Sequence, residues 1–143
     1  MTNVGPLKWH SMALLTDLYQ LTMAQGYWKV GAHHKDAVFH QFFRRSPFDG
    51  AYAIACGMQN ATELLEEFGF QQDDIDYLAT LVGNDGKPLF ELGFLDYLAN
   101  LELELDIDMV REGTLVFPQE PLVRVSGPLL HCQLVETALL NII

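Results

Sequence analysis

Hydrophobic residues recur along this chain with two periods, about 3.6 and 2 residues, and the elements follow from where one gives way to the other. From Leu14 to Gly31 the run LLTDLYQLTMAQGYWKVG has helical spacing. Thr16 is the expected cap, with Asp17 in the first turn, where a carboxylate suits the helix dipole. Leu18, Leu21 and Trp28 share a face expected to pack inward, while Tyr19, Met23 and Tyr27 recur every four residues on a second face. Gly31 is placed to end the helix. Over Ala37 to Arg44 the period changes to 2, with Val38, His40 and Phe42 opposing Phe39, Gln41 and Phe43. Apolar groups on both sides predict a central strand covered on two faces. The turn Ser46-Pro47-Phe48-Asp49-Gly50 leads to a second strand, Ala51 to Cys56, closed by Gly57.

Three helical segments follow. Their inward residues are Leu64, Leu65 and Phe68, then Ile75, Leu78 and Leu81, then Phe94, Leu95 and Leu98 within Phe90 to Ala99. Asn84-Asp85-Gly86 turns the chain between the last two. LELELDIDMV (101–110) alternates strictly and predicts a strand, although Leu101 to Glu104 could equally finish the preceding helix. Short strands Thr114–Phe117 and Leu122–Val125 precede a last helix, capped by Ser126 or Gly127 with Pro128 at its first position. Five of the final six residues are apolar, as expected of a chain cut within a helix. Leu134, Leu139, Ile142 and Ile143 are then expected to show an apolar face to solvent. Residues 1–12 read as a loose leader. The order of elements predicts an α+β unit with a mainly antiparallel sheet and flanking helices.

Charge narrows the partners. The net charge is −11, and fourteen of the nineteen acidic residues lie between Glu63 and Glu112. Such a field repels nucleic acid and anionic lipid, so neither is expected as a partner. No apolar run nears the roughly 20 residues that cross a bilayer. Cys56 and Cys132 form no CxxC pair, and the N-terminus lacks the order of a signal peptide, so a reduced, cytoplasmic protein is expected.

Candidate chemistry is sparse. His33 and His34, adjacent and without further ligands, read as surface residues rather than a metal site. His40 reads as a hydrogen-bonded strand histidine. The acidic rungs Glu102, Glu104, Asp106 and Asp108 form a flat ladder, a poor oxygen cage for Mg²⁺ and a natural solvated face. Arg44 and Arg45 are two of only four arginines. Alternation sends them to opposite faces. They are a solvated pair at a sheet edge, ion-pair partners of the acidic middle, or guanidinium forks for phosphate.

Three stretches in order, LLTDLYQLTMAQGYW (14–28), FFRRSPFDGAYAIACG (42–57) and EGTLVFPQEPLVRVSGPLLHCQLVETALLNII (112–143), resemble the nicotinate phosphoribosyltransferases. The resemblance covers only that family's N-terminal part. It implies that 13–143 is the N-terminal α/β domain, truncated in its last helix and lacking the family's C-terminal α/β barrel. The reaction implied is nicotinate plus phosphoribosyl pyrophosphate giving nicotinate mononucleotide, in NAD synthesis, with ATP hydrolysis and Mg²⁺. No residue here is identifiable as an ATP or Mg²⁺ ligand. The resemblance implies a homodimer with sites at the subunit boundary. There Tyr19, of the DLYQ motif, reaches the neighbouring subunit's nicotinate with Asp17 in support. Arg44 and Arg45 meet pyrophosphate or phosphate. The barrel supplies most of the reacting groups, so this chain alone is expected to be inactive. The alternative is a non-catalytic interaction module that uses the aromatic helix face to bind a partner.

Overall fold

The computed structural model describes residues 12–143. The leader expected over 1–12 lies, apart from Met12, outside the described residues. Five helices are described: α1 (Leu18–Lys29), α2 (Met58–Glu66), α3 (Gln72–Thr80), α4 (Leu92–Ala99) and α5 (Leu129–Ile142). Strands β1 (Asp36–Gln41), β3 (Asp106–Met109) and β5 (Val123–Pro128) form an antiparallel sheet in the order β1-β5-β3. Strands β2 (Ala53–Ile54) and β4 (Leu115–Val116) pair antiparallel in a second, two-stranded sheet. The α+β class and the antiparallel sheets agree with the sequence reading.

Helix α5 is the spine. Leu130 and Leu134 enter a helical core with Leu21, Ala24, Phe94 and Leu98. Cys132, Val135 and Leu139 enter a second core with Val123, Val125 and Ala61. A helix that serves two cores must be apolar nearly all round. This corrects the expectation of a solvent-facing apolar stripe: Leu134 and Leu139 are buried and Ile142 and Ile143 half-buried, leaving Leu140 as the exposed one.

Helix α1 starts one turn-position later than expected. Its N-cap is Asp17, and the Thr16 hydroxyl bonds the Gln20 side chain instead of capping. Its buried face is Gln20, Leu21 and Ala24, with Trp28 half-buried against the same core. Leu18, expected inside, is 52% exposed. The helix ends as predicted. Gly31 has φ +67°, the Ala32 amide bonds the Tyr27 carbonyl at 2.8 Å, and the Gly31 amide bonds that of Trp28 at 3.1 Å. These two bonds are those of a Schellman cap.

The strands depart further from the reading. The central strand is β5, and β1 is an edge strand whose Val38 and His40 face outward. Burial alternates from 101 to 109, yet ladder pairing covers only Asp106–Met109. The Glu104 amide instead donates to His131 Nδ1 at 3.0 Å, so the chain leaves the sheet there. Asp108 on the outer row pairs with Arg124 at 3.2 Å. The second and fourth strands shrink to two residues each, and β5 runs to Pro128, which is itself the N-cap of α5. Ser126 and Gly127 are strand residues rather than caps. The inward residues of α2, α3 and α4 are as read, with Leu64, Ile75, Leu78, Phe94, Leu95 and Leu98 buried.

Candidate functional site

The last two turns of α5 gather the start of α1, the end of β1 and the start of α2. Asp17 Oδ2 lies 3.3 Å from Thr137 Oγ1, Gln41 Nε2 donates to the Leu139 carbonyl at 3.2 Å, and Gly57 packs against Ile142. A Cβ at Gly57 would sit 2.3 Å from the Ile142 oxygen, and its φ of +95° also favours glycine. Segments distant in sequence therefore meet at one end of one helix.

Asp17 and Tyr19 lie in the opening turn of α1, both turned outward. Tyr19 is 54% exposed, beside exposed Leu18 and Met23, with Tyr27 half-exposed further along. The predicted second, aromatic face thus exists. What holds it had not been read from the sequence. Gln20 is 0% exposed, and its side-chain oxygen accepts from Thr16 Oγ1 at 2.6 Å and Thr137 Oγ1 at 2.5 Å. Its nitrogen donates to Glu136 Oε2 at 2.9 Å, and Gln133 Nε2 donates to the same oxygen at 3.0 Å. One turn and a half along, Gln25 spans to the loop before α4, donating to the Leu89 carbonyl and accepting from the Glu91 amide. A signal was present in the sequence. Gln20 shares its face with Ala24, and Gln133, Glu136 and Thr137 stand at offsets of three and four in an otherwise apolar helix.

Arg44 and Arg45 follow β1 in a bend, and both are exposed. Neither pairs with an acidic group among the described residues, which removes the ion-pair alternative for both there. The backbone is anchored at the base of this arm. Gln119 donates its amide to the Phe43 carbonyl at 2.9 Å and its side chain to that of Arg44 at 3.2 Å. Arg45 borders a cleft of about 310 Å³ with Phe43, Cys56, Leu122 and Ile143. Beyond it, Phe48 and Asp49 take left-handed φ values of 56° and 54°, and the Phe48 ring is fully exposed. Between β1 and α5, a second cleft of about 330 Å³ runs from Gln41 to Glu136 over Phe39, Val135 and Leu139.

The N-terminus of α2 is already filled. Glu112 accepts from the amides of Gly57 at 3.1 Å and Met58 at 2.8 Å. These bonds, the Gly57 amide first, hold the Glu112 carboxyl below its ordinary range, while Glu112 raises the Cys56 thiol. His33, His34 and His131 lie elsewhere, toward the start of α5. His131 accepts the Glu104 amide at Nδ1, which leaves the proton of the neutral ring on Nε2, 3.4 Å from the Tyr97 hydroxyl. Burial lowers the pKa of His131 and, with neighbouring His34, that of His33. Exposed His40 lies on the open face of the sheet.

Comparison with known proteins places these residues in context. The family model described as the nicotinate phosphoribosyltransferase (NAPRTase) N-terminal domain matches residues 14–143. The nicotinate phosphoribosyltransferase of Caenorhabditis elegans is 43% identical over 131 residues, covering 91% of this chain and 23% of its own length. That of Bacillus subtilis is 44% identical over 133 residues, covering 93% of this chain and 26% of its own. The crystal structure of human nicotinic acid phosphoribosyltransferase superposes with a TM-score of 0.77 at 43% identity, over 89% of this chain and 25% of that one. The chain thus spans about a quarter of the length of the curated relatives it matches. No helix among the described residues is long and apolar enough to cross a membrane.

Proposed function

The chain belongs to the nicotinate phosphoribosyltransferase family, and from that premise we propose that it is the N-terminal domain of an enzyme joining nicotinate to phosphoribosyl pyrophosphate. The products are nicotinate mononucleotide and pyrophosphate, with ATP hydrolysis driving the reaction. The observation that carries this reading is the exposed Tyr19 ring on a helix turn anchored to α5. A flat, half-open aromatic ring is suited to stack on a pyridine. In a homodimer Tyr19 reaches the pyridine held in the partner subunit's site, with Asp17 beside it. Arg44 and Arg45, unpaired on their arm, take the phosphate or pyrophosphate groups, and Arg45 at its cleft is the better placed.

ATP and Mg²⁺ act through parts of the full-length protein outside this chain. Among the described residues no group of three or more His, Cys, Asp or Glu is gathered around a common point. The α2 amides that could cradle a phosphate are bonded to Glu112. Purified alone, the 143-residue chain forms no nicotinate mononucleotide from nicotinate, phosphoribosyl pyrophosphate, ATP and Mg²⁺.

Mixed dimers of the full-length protein test the assignment of Tyr19. With Tyr19→Ala in one subunit and an inactive barrel in the other, action across the boundary leaves one complete site. With both changes in the same subunit it leaves none. Half the wild-type activity in that second dimer refutes the cross-subunit role.

A further inference from the structure

We propose that Gln20, Glu136 and Thr137 are positioning residues: a buried polar clamp that fixes the first turn of α1 on α5 and so sets how Tyr19 is offered to the pyridine. The inference rests on the reading of Tyr19 as a substrate contact. Gln20 is wholly buried on the face that also carries Leu21 and Ala24. An apolar side chain there would avoid the cost of burying an amide, so packing alone does not explain the glutamine.

The bonds are directional where the packing is not. The Gln20 oxygen uses both lone pairs, on the hydroxyls of Thr16 at 2.6 Å and Thr137 at 2.5 Å. Its nitrogen reaches Glu136 Oε2 at 2.9 Å. Reversing the amide would set an oxygen against a carboxylate oxygen, so a single orientation satisfies all partners. Gln133 Nε2 holds Glu136 from the α5 side at 3.0 Å. Leu21 and Ala24 would tolerate a small slide or roll of α1 on α5, because apolar attraction has no preferred direction. The two hydrogen bonds that join Gln20 to Glu136 and Thr137 would not, since they weaken steeply with distance and angle. Tyr19 is the residue next to Gln20, and any roll of the helix moves its ring.

The test uses the full-length protein. Nicotinate and phosphoribosyl pyrophosphate KM, kcat and thermal midpoint are measured for Gln20→Met, Thr137→Val, Thr137→Ser, Tyr19→Ala and the Tyr19→Ala/Thr137→Val pair. Thr137→Val is nearly isosteric at a half-exposed site and carries the test if Gln20→Met does not fold. Thr137→Val is expected to raise the nicotinate KM by roughly two- to tenfold, bounded by the effect of losing the ring itself. The phosphoribosyl pyrophosphate KM stays at the wild-type value, and Thr137→Ser restores that of nicotinate. On the Tyr19→Ala background Thr137→Val adds nothing further, as expected of residues that act as a unit. A lower midpoint with an unchanged nicotinate KM overturns the clamp, as does a full additive effect on the Tyr19→Ala background. If Tyr19→Ala itself leaves that KM unchanged, the substrate reading of Tyr19 falls and the clamp falls with it.

Discussion

Two exposed segments meet the last turns of α5, and they are held in opposite ways. The start of α1 is pinned by buried side chains, with Gln20 bonded to Thr16, Glu136 and Thr137. Among the described residues the arm from Arg44 to Gly50 is tied at its base, by Gln119, and carries its aromatic tip Phe48 in a left-handed conformation. The difference matches what each must recognise. Stacking a ring requires a surface fixed in distance and tilt, which a packed helix provides. Attraction between a guanidinium and a phosphate falls off slowly with distance, so a projecting loop can deliver it.

The comparison breaks most severely if the footing of α1 is removed. Leu134 is 1% exposed in the core beneath Leu21 and Ala24. Leu134→Ala should cost about 2–5 kcal/mol in urea or thermal unfolding, by lost transfer energy plus a cavity. A loss below about 1 kcal/mol would mean that α5 is not the spine of the domain.

On the arm the expected effect is smaller and kinetic. Arg45→Ala in the full-length protein should raise the KM for phosphoribosyl pyrophosphate by up to about tenfold and leave that for nicotinate near wild type. A charge-assisted contact reached by water is worth about 1–2 kcal/mol. Arg44→Ala should do the same or less, since Arg45 is the one lining the cleft. Unchanged phosphoribosyl pyrophosphate kinetics in both variants would make the pair a solvated surface feature. Thermal stability of either variant should stay within about 0.5 kcal/mol of wild type, the range for surface sites.

Phe48→Gly sharpens the contrast from the other side. A left-handed φ costs a residue with a Cβ roughly 1–2 kcal/mol, and glycine gives back part of that as unfolded-chain entropy. The substitution should therefore stabilise the isolated domain slightly, by less than about 1 kcal/mol. Marked destabilisation in chemical unfolding would show that the ring is an anchor within the domain rather than a free tip.

The smallest expected effect lies at the opposite end of α5, where pH rather than substrate acts. Burial lowers the folded-state pKa of His131, and that of His33 is lowered too. The unfolded chain then binds more protons than the folded one just below the ordinary histidine range. Their contribution to stability is complete above about pH 6.5 and is lost as pH falls through the lowered folded values. His131→Asn keeps an acceptor near Nδ1 for the Glu104 amide and cannot titrate, so its unfolding midpoint should fall less between about pH 7 and 5. An identical slope in wild type and variant would assign the acid sensitivity to other groups.

Much of this was legible before any coordinates. Helical spacing located all the helices, because their inward residues repeat at three and four whatever surrounds them. The end of α1 followed from Gly31 alone. The three stretches that carry the family resemblance also contain Asp17, Gly57 and Thr137, which meet at the end of α5. Local chemistry determined these, since caps, periods and turns depend on neighbours along the chain. Other features depended on the partner across space. Val38 and Phe42 read as covered because they are apolar, yet β1 is an edge strand and nothing in its own residues says so. LELELDIDMV alternates throughout, but His131, more than twenty residues later, takes the Glu104 amide and shortens the strand. The last helix looked like an unfinished surface and is the centre, because two cores claim its opposite faces. In the sequence Gln20 is one polar residue of an amphipathic helix. Only the approach of Glu136 and Thr137, over a hundred residues away, turned it into a buried one, since an amide is stable inside a protein when its partners arrive with it.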